Sequence, residues 1–189
     1  MNNKTSIFSY ELSKIKDKNI KKFTIEVINN LPEYFFITGA SSTGKYHPKF
    51  TNGEGGLIRH TKAVVGIALE LFGCSTIQNF TDKEKDLIIS ALILHDGLKL
   101  GENCEKYTVS THPIEIVNFI VKKEIHKNLP VEDFNIISNI IRTHMGEWNK
   151  DYKTKKVVLP LPKDNLQIFA HMCDYLASRK ILEKFFINE

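Results

Sequence analysis

Six side chains interrupt otherwise apolar, helix-like stretches of this sequence: His60, His95, Asp96, His112, His144 and Asp174. Imidazole nitrogens mixed with carboxylate oxygens suit zinc, manganese, iron or nickel better than calcium or a thiolate-seeking ion. That many donors exceed one tetrahedral site, whereas two divalent transition-metal ions use them all, with an Asp bridging through its two oxygens. Two ions so held clamp a phosphate and acidify a shared water, so phosphoester hydrolysis is the chemistry such a set suits. The densest part is Ala91-Leu92-Ile93-Leu94-His95-Asp96-Gly97-Leu98-Lys99, an apolar run leading straight into the His–Asp pair. Burying that pair is costly unless a metal or a hydrogen-bond network compensates it. Taken singly, each histidine also fits a core residue satisfied by one neighbour, or a solvated helix end.

Helices have to deliver these residues. Residues 1–20 carry a partial amphipathic pattern that predicts a short surface helix. Phe23, Val27, Ile28 and Leu31 predict a helix within 21–36, closed by Pro32. A long helix follows Glu54-Gly55-Gly56, with His60 in its first turns. Thr81 and Asp82 read as the N-cap of a helix that ends at His95, and Thr111 as the cap of one opened by His112-Pro113. Leu129-Pro130 begins a helix that ends at His144 before Gly146, and the last helix runs from about 163 to 186 with His171 and Asp174 on one side. Val157-Val158-Leu159 is the one short strand candidate. These patterns predict an all-α fold. Its division is an N-terminal helical extension and loop, residues 1–53, packed on a core of residues 54–189, the whole forming one compact domain.

Gly39 to Tyr46 nearly spells a phosphate-binding loop, but Tyr46 stands where that motif needs a Ser or Thr hydroxyl for magnesium. Pro48, Asn52 and Gly53 also disfavour the helix it should open. Ser41, Ser42 and Lys45 remain candidates for lining a phosphate site, and Trp148 for stacking a base. His171, one turn before Asp174, is a candidate to support a ligand from behind. His47 and His126 read as structural histidines.

The 189 residues suffice for one domain, and 42% hydrophobic with 25% charged residues is ordinary for a globular chain. A net charge of +4 fits a phosphorylated ligand better than a protein that coats nucleic acid. Cys74, Cys104 and Cys173 are odd in number and lack CxxC spacing, which points to a reducing compartment. No apolar run reaches membrane-spanning length and Met1 leads into polar sequence, so the expectation is a cytoplasmic protein with no membrane partner.

The order His60, then His95-Asp96, then Asp174 resembles the signature of the HD superfamily of metal-dependent phosphohydrolases, an all-helical bundle fold. The resemblance covers roughly residues 54–180. His112-Pro113 and His144 are similar to the additional ligands of its two-metal members. It implies that His60, His95, Asp96 and Asp174 hold one ion, and that Asp96, His112 and His144 hold the second, with Asp96 as bridge. It further implies that Lys99 contacts substrate phosphate and that Asp96 serves catalysis by orienting a metal-bridging hydroxide. The chain reads Asp96-Gly97-Leu98-Lys99 where the family's usual order is Asp-Ile-Gly-Lys. Met145-Gly146-Glu147-Trp148 lacks the second ligand and the Gly-Tyr-Pro motif of the cyclic-dinucleotide branch. The stretch from Tyr46-His47-Pro48 through Gly55-Gly56 to His60-Thr61 is similar to the domain entry of a bacterial 3′–5′ exoribonuclease group, without their nucleic-acid-binding barrel. The expected function is hydrolysis of a phosphomonoester or phosphodiester, with a nucleotide or short oligonucleotide as the substrate. The alternatives are an exonuclease, a di-iron oxygenase on the same ligands, and a metal-binding sensor without turnover.

Overall fold

The computed structural model describes residues 3–41, 47–181 and 183. Among them are nine α-helices and no strand: α1 (Asn3–Ser6), α2 (Ser9–Lys14), α3 (Lys18–Asn30), α4 (Tyr34–Ile37), α5 (Gly56–Phe72), α6 (Asp82–Leu94), α7 (His112–Lys122), α8 (Val131–Thr143) and α9 (Asn165–Ser178). The all-α expectation holds. None of these helices is long and apolar enough to cross a membrane.

α6 is the axis of the bundle. Every residue from Asp86 to Leu94 is buried, as expected of a helix apolar on all sides. It packs against α3, α5, α8 and α9, while α5 also packs on α9 and α7 on α8. Full burial of each Leu or Ile here contributes about 1.5–3 kcal/mol. The start of α6 is fixed by a capping box: Thr81 Oγ1 accepts from the Glu84 amide at 3.2 Å and the Glu84 carboxylate accepts from the Thr81 amide at 2.8 Å.

The N-terminal segment shares this core. Phe8, Leu12 and Ile15 are buried with it, and buried Glu11 pairs with Lys62 of α5 at 2.9 Å. Buried Asp86 accepts from the amides of Lys16 (3.0 Å) and Asp17 (2.7 Å), and Asp17 in turn caps α3. Where one short helix was expected, two form, because Ile7 and Phe8 turn inward between them. The helix expected within 21–36 likewise starts earlier, ends at Asn30, and is followed by the separate turn of α4.

The segment before α5 is tied down by Arg59. Its guanidinium donates to the carbonyls of Phe50 (2.5 Å), Asn52 (2.8 Å) and Glu54 (2.9 Å) around a 3₁₀ turn at Lys49–Thr51. Gly55 takes φ 67° at the helix start, and a Cβ on Gly56 would stand 1.9 Å from the Thr51 carbonyl oxygen. These glycines let loop and helix meet.

Three further expectations are revised. α9 breaks after Ser178, where Arg179 is extended (φ −96°, ψ 143°) as its guanidinium packs over the rings of Trp148 and Tyr175; Ile181 and Glu183 are helical again, and the expected end near 186 lies outside the described residues. Thr111 precedes α7 but makes no side-chain cap, because its hydroxyl donates to Glu115 at 2.8 Å. Val157 forms only an isolated bridge to Lys150, since the buried Asn149 occupies the amides of Val158 and Leu159.

Candidate metal centre

The helix ends converge at one place. α5 brings His60 from its second turn, His95 and Asp96 follow directly on α6, α7 starts with His112, His144 follows directly on α8, and α9 supplies Asp174. His60, His95, Asp96, His112 and His144 are all 2% exposed or less. The structure brings all six together.

Asp96 lies between two groups of histidines. Its Oδ2 is 3.8 Å from His60 Nε2 and 3.5 Å from His95 Nε2, while its Oδ1 is 2.9 Å from His112 Nε2 and 3.7 Å from His144 Nε2. Asp174 Oδ1 joins the first group, 2.9 Å from His60 Nε2 and 3.7 Å from His95 Nε2. In the second group the His112 and His144 Nε2 atoms are 3.3 Å apart. His60, His95 and Asp174 form one set able to hold a metal ion, and His95, Asp96 and His144 another that shares His95.

Local backbone decides which ring nitrogen faces inward. The Nδ1 atoms of His95, His112 and His144 lie 2.6, 2.8 and 2.7 Å from the carbonyl oxygens of Leu92, Val109 and Ile141, each three residues earlier. A carbonyl only accepts, so each Nδ1 carries the proton and each Nε2 presents a lone pair to the centre. Fixing the tautomer from behind in this way is how metal-ligating histidines are oriented. The Nε2 atoms of His60 and His95 and the Oδ1 of Asp96 are buried without a directed hydrogen bond. Buried polar atoms left so are costly. A cluster of lone pairs short of donors fits a cation.

The charges agree with that arrangement. Burial works against ionising Asp96, but the Lys99 ammonium beside it outweighs that and holds the carboxyl well below its usual range. Burial likewise opposes the charge on Asp174, and its 2.9 Å contact with His60 Nε2 overcomes that. Burial pushes His95 down, and His144 to about 3, so both rings are neutral near pH 7. Neutral imidazoles and ionised carboxylates are the forms a metal takes.

Lys99, 8% exposed, places its Nζ 2.5 Å from Asp96 Oδ2. The departure at Gly97 has a packing reason: a Cβ there would lie 2.8 Å from Leu31 Cδ2 and 3.0 Å from Ile116 Cδ1. The turn still delivers Lys99 to the carboxylate. His171 donates from Nδ1 to the His144 carbonyl at 2.7 Å, so it braces the turn that carries a donor. Its ring fits only because Gly146 lacks a Cβ, which would stand 2.2 Å from it.

His47, read from the sequence as a structural histidine, lies next to the cluster. Its ring meets that of His60 edge-on, with centroids 5.2 Å apart, and its buried Nδ1 has no hydrogen-bond partner. Burial, then the charges of Lys99 and His60, lower it to about 3. The one available signal was its place in the stretch leading to His60. His126 instead packs on Phe134, with centroids 5.5 Å apart. Trp148 does not join the donor cluster; it stacks on Tyr175. Ser41 is half-buried in coil, whereas Ser42 and Lys45 lie outside the described residues. No protein-family model, curated protein or solved structure matches this chain.

Proposed function

We propose that this protein is a metal-dependent phosphohydrolase of the HD type, acting on a phosphomonoester or phosphodiester of a nucleotide or short oligonucleotide. The observation that carries the reading is the division of the Asp96 carboxylate, one oxygen toward His60 and His95 and the other toward His112 and His144. His60, His95, Asp96 and Asp174 would hold one ion, and Asp96, His112 and His144 the second. Two divalent ions, as iron, manganese, nickel or zinc, supply Lewis-acid polarisation of a phosphoryl oxygen and acidify a water.

The chain's own residues do the rest. Asp96 is positioned to accept a hydrogen bond from an attacking water and set its direction. Lys99 is a buried cation with one carboxylate partner, so its remaining N–H groups can bind a phosphoryl oxygen as charge develops there. That cation favours phosphate chemistry over the oxygenase alternative, which has no need of it. His47, held neutral by burial, packs edge-on against the ring of His60. The three free cysteines suit a reducing compartment such as the cytoplasm.

The test joins metal analysis to activity. Protein purified without chelators should contain close to two transition-metal ions per chain and hydrolyse members of a phosphoester panel. Asp96→Ala should lose both ions and all turnover, and His144→Ala only one ion. Full metal content in Asp96→Ala would overturn the bridging role.

A further inference from the structure

The indole of Trp148 lies against the ring of Tyr175, with centroids 5.5 Å apart and planes 17° from parallel. The Arg179 guanidinium carbon sits 4.7 Å from the Trp148 centroid and 4.4 Å from that of Tyr175. Arg179 has no ion pair with a carboxylate among the described residues, and its Nε is buried without an acceptor. The cation is therefore held by the rings. Even with both neighbours in place, Trp148 remains 43% exposed.

The position is fixed from the donor cluster. Tyr175 follows Asp174 in α9, and Trp148 follows His144 by four residues in the turn after α8. His171 packs beside both rings, its centroid 6.2 Å from that of Trp148 and 6.3 Å from that of Tyr175, and is hydrogen-bonded to the His144 carbonyl. The Trp148 amide donates to Met145 O at 3.1 Å, and the next residue, Asn149, is buried and bonded to Leu159. An exposed aromatic face is thus mounted rigidly beside the candidate metal centre.

We propose that Trp148, Tyr175 and Arg179 form a platform that stacks the base of a nucleotide whose phosphate enters the His/Asp cluster. The inference rests on the phosphohydrolase reading for the phosphate end and on the platform alone for the base end. Planar heterocycles stack on such rings regardless of base identity, because each presents a π face. A cation held over the rings strengthens the preference for a polarisable planar partner over an aliphatic one.

The chain has a single Trp, so its emission reports this site directly. The experiment titrates the full-length, manganese-supplied protein with AMP, adenosine and ribose 5-phosphate, following tryptophan fluorescence alongside calorimetry. AMP should quench the emission saturably, adenosine should quench it with weaker affinity, and ribose 5-phosphate should leave it unquenched. Trp148→Ala should lower the ratio of AMP to ribose 5-phosphate affinity roughly tenfold, and Trp148→Phe should keep most of it. Equal affinities for AMP and ribose 5-phosphate, with unquenched emission in wild type, would overturn the platform even if phosphoesters are hydrolysed. Quenching by adenosine in a protein that hydrolyses no phosphoester would support the platform while refuting the phosphohydrolase reading. If Trp148→Ala does not fold, the wild-type fluorescence titrations decide.

Discussion

His144 shows most plainly how burial tunes a residue here. Its ring is held to about 3 chiefly by desolvation, against an ordinary value of 6.5. Between those two values the unfolded chain takes up a proton that the folded chain refuses. Folding stability from this residue is therefore fully present above about 6.5 and declines as pH falls toward 3. At pH 5 the metal-free protein should be less stable than at pH 7.5 by on the order of 2 kcal/mol from His144. Urea unfolding at the two pH values checks this; His47 and His95, also lowered by burial, act in the same direction, so equal midpoints would mean that none of these rings is buried neutral. The carboxylates of Asp96 and Asp174 do not enter that window, because their depressed values lie below it. The donor types were legible in the sequence as polar interruptions of apolar helices. The packing of His47 against the ring of His60 was not, since that contact is made in the fold rather than by any local pattern.

At the scale of elements, the site depends on how closely the loop before α5 approaches that helix. Gly56→Ala would drive a Cβ to within 1.9 Å of the Thr51 carbonyl, and backbone cannot swing aside as a side chain does. Overpacking of this kind costs about 1–3 kcal/mol, more than the helix-propensity gain of about 1 kcal/mol. Gly56→Ala should lower both the melting temperature and the metal content, because His60 lies one turn further along α5. Gly66, with no atom within 4 Å of an added Cβ, is the control, and Gly66→Ala should stabilise by about 0.5–1 kcal/mol. Thermal unfolding with metal analysis separates the two, and a stable, fully loaded Gly56→Ala would refute the close-approach argument. Most helix positions followed from apolar periodicity, as in α6 and α8. The break after Ser178 did not, because Ser178-Arg179-Lys180 contains no breaker and the contact made at the break reaches Trp148, far off in sequence.

For the molecule as a whole, charge bears on substrate size. The 26 Lys and Arg are nearly balanced by 22 Asp and Glu, leaving a net charge of only +4 to attract a polymer backbone away from the cluster. Each phosphate contact on a single strand adds roughly 0.7 to the slope of log affinity against log salt. Mononucleotides and dinucleotides should therefore be hydrolysed at least as well as long single strands. Neither rate should collapse between low and physiological salt. Hydrolysis of both substrates across a salt series with manganese supplied is the measurement. Processive degradation of long strands with a steep salt slope would favour the exonuclease alternative instead.

The sequence by itself determined the all-helical class and the six candidate donors, because helical periodicity and side-chain chemistry are local properties. It also placed Lys99 three residues after Asp96, where a tight turn brings the cation to the carboxylate. Tertiary structure alone decided that the donors meet, which oxygen of Asp96 faces which histidines, and that Arg179 leaves α9 to cover Trp148 and Tyr175. These outcomes depend on the packing of α5, α7, α8 and α9 around α6. The contacts involved join residues far apart in the chain, and no local pattern encodes the distances between them.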